Sequence, residues 1–286
     1  MYTTLISPAD LANYYAEPNW VICDCRFDLH NPTRGHSDYL NGHIPKAVYV
    51  DLERDLSSPP RGSNGRHPLP SINELTALIN SLGIHNDSQV IVYDDEGGGY
   101  ASRLWWILRY LGHETVAVLD GGIQAWIETG HELSSGAEQR TPSIFHANVQ
   151  TDRLITVEQV LKNPPGREIL LLDARAPERY RGEEEPLDPV AGHIPGAENR
   201  FWRENLNPSG TFKSTNDLKR ELDMLLHDRL AQNAIIYCGS GVTGCLNILA
   251  FMAAGYDMPR LYAGAWSEWC SDINRGIETG DSEVPP

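Results

Sequence analysis

The segment Cys238–Gly244, Cys-Gly-Ser-Gly-Val-Thr-Gly, holds the residue types best suited to chemistry in this chain. It follows the apolar run Ala234–Tyr237 and precedes a helical pattern over Cys245–Ala254. Glycines let such a loop curl tightly and turn successive backbone N–H groups inward. The N-terminus of the following helix adds positive potential. Together they form a cradle for an anion, and its centre is the Cys238 sulfur. The cradle favours the nucleophilic thiolate and would equally hold a sulfur-bound anion such as a persulfide. Cys23, Cys25, Cys245 and Cys270 lack a loop of this kind and read as structural thiols.

The elements that must position this loop occur twice. Val21–Arg26 (VICDCR) matches Leu170–Arg175 (LLLDAR), and Gly42–Ala47 (GHIPKA) matches Gly192–Ala197 (GHIPGA). Val90–Asp94 (VIVYD) matches Ala234–Cys238 (AIIYC), and Leu119–Trp126 (LDGGIQAW) matches Tyr262–Trp269 (YAGAWSEW). Four landmarks in one order indicate a duplicated domain. Each half alternates Val/Ile/Leu-rich runs of strand length with amphipathic stretches, which predicts an α/β fold with a parallel sheet covered by helices on both faces. Ser71 followed by Glu74 predicts a capped helix over Ser71–Ser81, and Arg103–Leu111 reads as another. Polar Ser134–Ser143 marks a linker. The expected division is 1–133, a linker 134–150, and 151–286, with an irregular tail after Arg275. At the end of the central strand the first half carries Asp94 where the second carries Cys238. Ligands bind outside the carboxyl ends of strands in open parallel sheets, so Cys238 stands where a site is expected.

Composition narrows the function. The chain has 286 residues, a formal charge of −16, 41% hydrophobic and 22% charged residues. So acidic a protein offers no basic face to nucleic acid or to an anionic membrane. No apolar run reaches the length of a membrane span, and the first residues lack the pattern of a secretory signal. Five sparse cysteines predict reduced thiols in the cytoplasm, and no Cys/His spacing calls for a metal.

The paired GHIP motifs, the CGSGVTG loop and the closing GAWSEW resemble the tandem-domain rhodanese family of sulfurtransferases over nearly the whole chain. The resemblance implies two rhodanese-like domains, the first non-catalytic with Asp94 at the cysteine position, the second carrying a persulfide on Cys238. It implies an anion cradle of Gly239, Ser240, Gly241, Val242, Thr243 and Gly244. The neutral loop resembles the mercaptopyruvate group, whereas thiosulfate-specialised members carry a basic residue after the cysteine. Arg179 in PERYRG matches the arginine that binds a substrate carboxylate, for which a guanidinium fork is suited. The second arginine of that group follows a Glu-Pro pair; here Glu185-Pro186 is followed by Leu187, and Arg181 or an arginine from the other domain would have to substitute. The resemblance also implies a relay of Ser240, His67 in GRHPLP and Glu53 in VDLERD. His43 and His193 occur in both halves and read as structural.

The expected chemistry is double displacement through a Cys238 persulfide: 3-mercaptopyruvate donates sulfur, and cyanide, a small thiol or thioredoxin accepts it. No cofactor is required. Thiosulfate is the alternative donor. A phosphatase would need Cys-x5-Arg, and position 244 is glycine. A non-catalytic sulfur-relay module would be expected to have a degenerate loop, which is not seen.

Overall fold

The computed structural model describes residues 1–166 and 168–281. The end of the tail, Ser282–Pro286, lies outside them. Two compact units form. The first contains Met1–Ser58, Leu69–Gln150 and Leu206–Phe212; the second contains Pro59–Pro68, Thr151–Asn205 and Lys213–Pro286.

The first sheet is built from β1 (Leu5–Ile6), β2 (Trp20–Asp24), β3 (Val48–Tyr49), β4 (Gln89–Tyr93) and β5 (Val116–Leu119), in the order β1-β5-β4-β2-β3. The second is built from β6 (Leu154–Ile155), β7 (Leu171–Asp173), β8 (Glu198–Asn199), β9 (Ile235–Tyr237) and β10 (Arg260–Tyr262), in the order β6-β10-β9-β7-β8. Every pairing is parallel. The central strands β4 and β9 are buried along their whole length, as their unbroken apolar runs require. Chain order places Asp94 and Cys238 immediately beyond their carboxyl ends.

Local chemistry sets the helix boundaries. Ser71 accepts from the Glu74 N–H while Glu74 reaches back to the Ser71 N–H, so the helix Ile72–Ser81 starts on a complete capping box. The helix Ala101–Tyr110 is buried at every residue, and Gly244–Ala253 is buried from Gly244 to Phe251. Arg103, in the first of these, is fully buried.

The repeated motifs form the same lock in each unit. Asp24 binds Arg26 through two guanidinium nitrogens, and Arg26 Nη2 also donates to the Gly42 carbonyl at 2.8 Å. Asp173 binds Arg175 likewise, and Arg175 Nη2 donates to the Gly192 carbonyl at 2.6 Å. The Ile44 and Ile194 N–H groups donate to the hydroxyls of Tyr93 and Tyr237. His43 and His193 each engage, through Nδ1, a backbone carbonyl at 2.8 Å and stack on the tyrosine that supplies it, Tyr39 and Tyr180. Both histidines of GHIP are therefore structural.

Residues 134–150 run as a strap along the first unit. Ser134 bridges His43, the Ser143 N–H donates to the Asn80 carbonyl, Phe145 is buried, and the Asn148 N–H donates to the Leu111 carbonyl. Their polar composition reads as a linker because the strap is held by backbone hydrogen bonds and a single apolar anchor. Among the described residues after Arg275, 276–281, the chain is irregular except at Glu278, which bridges His193.

Asp94 shows what a strand–loop–helix of this shape offers an anion. Its carboxylate accepts the N–H groups of Glu96, Gly98, Tyr100 and Ala101 at 2.7–2.9 Å. Burial pushes the carboxyl upward and the four donors pull against it. Asp94→Ala leaves four backbone donors, those of Gly98 and Ala101 buried, without their acceptor. It is expected to destabilise the protein by at least about 2 kcal/mol, read as a lower urea midpoint.

Candidate active site

Cys238 leaves β9 with 2% of its surface exposed. Its carbonyl accepts the Trp266 N–H at 3.0 Å, and the Gly239 carbonyl accepts the Ser267 N–H at 2.9 Å. The loop then turns at Gly241, φ +77°, where a Cβ would stand 2.2 Å from the Ala263 carbonyl oxygen. Only glycine meets both conditions. The Cys245 N–H donates to the Val242 carbonyl, Cys245 Sγ donates to the Gly241 carbonyl, and the helix opens at Gly244 with Thr243 at its cap position. Gly239 to Val242 are buried and Thr243 is half-buried.

Two expected partners meet in this unit. His67 Nδ1 lies 2.8 Å from Ser240 Oγ, and both side chains are buried. The segment Pro59–Pro68 brings His67 there: the Arg66 N–H donates to Ser267 Oγ at 3.0 Å, and Gly65, φ +84°, packs against the Gly264 carbonyl.

Arg179 sits at the end of the short helix Pro177–Tyr180. Its Nε and Nη2 clasp Glu185, and Nη2 also reaches Asp188 at 3.2 Å. Glu185 binds Arg175 at 3.1 Å as well, and the Arg175 guanidinium lies 4.7 Å over the Trp266 ring. Asp188, through its other oxygen, binds Arg66. A Cβ placed on Gly239 would stand 2.8 Å from Arg66 Nη2 and 3.5 Å from both terminal nitrogens of Arg179. Two guanidinium groups therefore adjoin the residue that follows Cys238.

The other two expected residues are placed differently. Arg181 turns to Glu183 at 2.8 Å in an exposed ion pair. Glu53 belongs to the first unit, is exposed, and gives its N–H to Asp51. Arg66 escaped sequence reasoning, although it stands directly before His67.

The chain matches the family model described as "Rhodanese-like domain" twice, over residues 7–129 and 156–272. It belongs to that family, with two rhodanese domains in tandem. It is 44% identical over 281 residues to a protein named "Probable 3-mercaptopyruvate sulfurtransferase" from Pseudomonas aeruginosa, covering 97% of this chain and 98% of that one. It is 35% identical to the thiosulfate sulfurtransferase of Bos taurus, covering 94% of this chain and 92% of that one. Its fold matches the solved structure of 3-mercaptopyruvate sulfurtransferase from Leishmania major with a TM-score of 0.83 at 29% identity, covering 94% of this chain and 74% of that one. Among the described residues, no helix is long and apolar enough to cross a membrane.

Burial pushes the Cys270 thiol up to about 11 and the Cys23 thiol up to about 12, and drives Cys25 well above the ordinary range. At pH 8 a thiol at about 11 is roughly one part in a thousand thiolate. Iodoacetamide at pH 8 is therefore expected to modify the folded protein first at Cys238. Intact mass should show a single early adduct that Cys238→Ser abolishes; an early adduct at another cysteine would contradict this.

Proposed function

We propose that this sulfurtransferase takes sulfur from 3-mercaptopyruvate and passes it to a thiophilic acceptor through a persulfide on Cys238. The Cys238 thiolate attacks the donor's thiol sulfur, and the carbon–sulfur bond breaks. Its electron pair stays on carbon as the pyruvate enolate, which takes a proton to become pyruvate. The transferred sulfur remains on Cys238 as a persulfide, beside the backbone N–H groups of Gly239–Gly244. An acceptor such as cyanide then attacks the outer sulfur, thiocyanate leaves, and the Cys238 thiolate returns. The step balances without an outside oxidant: the two sulfurs of the new S–S bond are oxidised and the carbon that the sulfur leaves is reduced.

The observation that carries the reading is the His67–Ser240 pair. A donor that leaves as an enolate needs proton transfer, and an imidazole hydrogen-bonded to a loop hydroxyl supplies a route for it. Thiosulfate leaves as sulfite and needs none. Arg179 stands in this reading as a carboxylate ligand. Thiosulfate is the second reading, favoured by the two guanidinium groups beside Gly239, which suit a sulfonate as well as a carboxylate. As physiological acceptor we propose reduced thioredoxin or another dithiol, and we place the protein in the cytoplasm, where its free cysteines stay reduced.

The deciding experiment compares kcat/KM for the two donors with cyanide as acceptor and Cys238→Ser as blank. 3-Mercaptopyruvate is expected to be preferred. His67→Ala is expected to lower kcat with 3-mercaptopyruvate by about a hundredfold and with thiosulfate by less than about tenfold. Equal losses with both donors would remove the relay, and a preference for thiosulfate would reverse the donor. Absence of Cys238-dependent turnover with either would leave a protein-to-protein sulfur carrier.

A further inference from the structure

The position where the resemblance asks for a second substrate arginine holds Leu187, and Arg181 is turned to Glu183. We propose that Arg66 is the second ligand for the donor's carboxylate, forming with Arg179 an anion subsite over Gly239. This rests on the 3-mercaptopyruvate reading and gives its carboxylate a place.

Three observations carry it. First, the two guanidinium groups converge. Arg66 Nη2 and both terminal nitrogens of Arg179 lie within 3.5 Å of one point, the place that a Cβ on Gly239 would fill. That point marks the face of Gly239 bordered by the guanidinium groups, and the Cα atoms of Gly239 and Cys238 are about 3.8 Å apart. A three-carbon donor spans a comparable distance between its sulfur and its carboxylate.

Second, donors remain for a ligand. Arg66 uses Nη1 on Asp188, and Arg179 uses Nε and Nη2 on Glu185 and Asp188. Among the described residues no hydrogen bond engages Arg66 Nη2 or Arg179 Nη1. These are the nitrogens that face Gly239.

Third, the charges fit. Arg66, Arg175 and Arg179 alternate with Asp173, Glu185 and Asp188 in one chain of ion pairs. Asp188 gives one oxygen to each guanidinium of the pair, which fixes their spacing and offsets their mutual repulsion. An added carboxylate would meet two cations held in place beforehand, in a protein whose net charge is −16.

The test uses binding and turnover separately. In the full-length Cys238→Ser protein, which cannot turn over, pyruvate serves as the carboxylate probe and calorimetry as the readout. Arg66→Ala in that background is expected to weaken pyruvate binding at least tenfold. Arg66→Lys should recover part of the loss, and Arg220→Ala, an exposed arginine paired with Asp217, should change nothing. In the active protein Arg66→Ala is expected to raise KM for 3-mercaptopyruvate at least tenfold with kcat within threefold. Thermal melts of each variant separate this from unfolding. Unchanged pyruvate binding in Arg66→Ala, or no pyruvate binding by Cys238→Ser itself, overturns the subsite. If pyruvate binding depends on Arg66 while the active enzyme prefers thiosulfate, the subsite stands and the donor reading falls.

Discussion

A chain of buried ion pairs runs from the sheet of the second unit to its loop. It starts at Asp173, at the end of β7, and passes through Arg175, Glu185, Arg179 and Asp188 to Arg66. Asp173 is fully buried, and the side chains of Arg175, Glu185 and Asp188 are nearly so. Charges removed from water are tolerated only when paired and hydrogen-bonded, and deleting one partner of such a pair costs about 3–5 kcal/mol. Each member therefore constrains the next. The rigid element is the parallel sheet, and the network carries its rigidity to guanidinium groups that border Gly239. The Trp266 ring beneath Arg175 and the Trp266 N–H on the Cys238 carbonyl tie the same residue to both the network and the Cys238 backbone.

The duplicated unit shows which parts of this belong to the fold and which to the chemistry. Asp24 and Arg26 repeat the lock of Asp173 and Arg175, down to the carbonyl of the GHIP glycine. Beyond the central strand the two loops hold different groups. In the first unit the loop closes on its own Asp94, whose carboxylate takes four backbone N–H groups. In the second, an uncharged loop follows a cysteine, and the charge is supplied by arginines from elsewhere in the chain. A cradle filled by a fixed carboxylate is a structural device.

The units also trade segments. Leu206–Phe212 belongs to the first, where the Phe212 N–H donates to Asp120 and Leu206 packs at Gly97. Pro59–Pro68 belongs to the second, where it places Arg66 and His67 by the Cys238 loop. Each post-strand loop is thus covered by a stretch of chain encoded in the opposite half of the sequence. The His67–Ser240 contact and the convergence of Arg66 with Arg179 both depend on the second of these segments.

Much of this was legible in the residues. The repeats, the parallel sheets, the capped helix at Ser71 and the loop at Cys238 all rest on local signals: apolar runs, glycine positions and a cap read over a few residues. Gly241 is the clearest case, because its required φ and its contact with Ala263 leave no other residue type. The segment 134–150 reads as a linker in sequence because tertiary hydrogen bonds leave no periodic trace in a polar segment. Arg66 had no signal of its own, since an arginine in a polar loop reads as a solvated charge until the loop is placed. Sequence alone determined the fold and the glycine-rich loop after Cys238, because these depend on neighbours along the chain. Tertiary structure alone decided which arginines adjoin that loop, because their convergence depends on closing a long stretch of chain onto a charged network whose members are far apart in sequence.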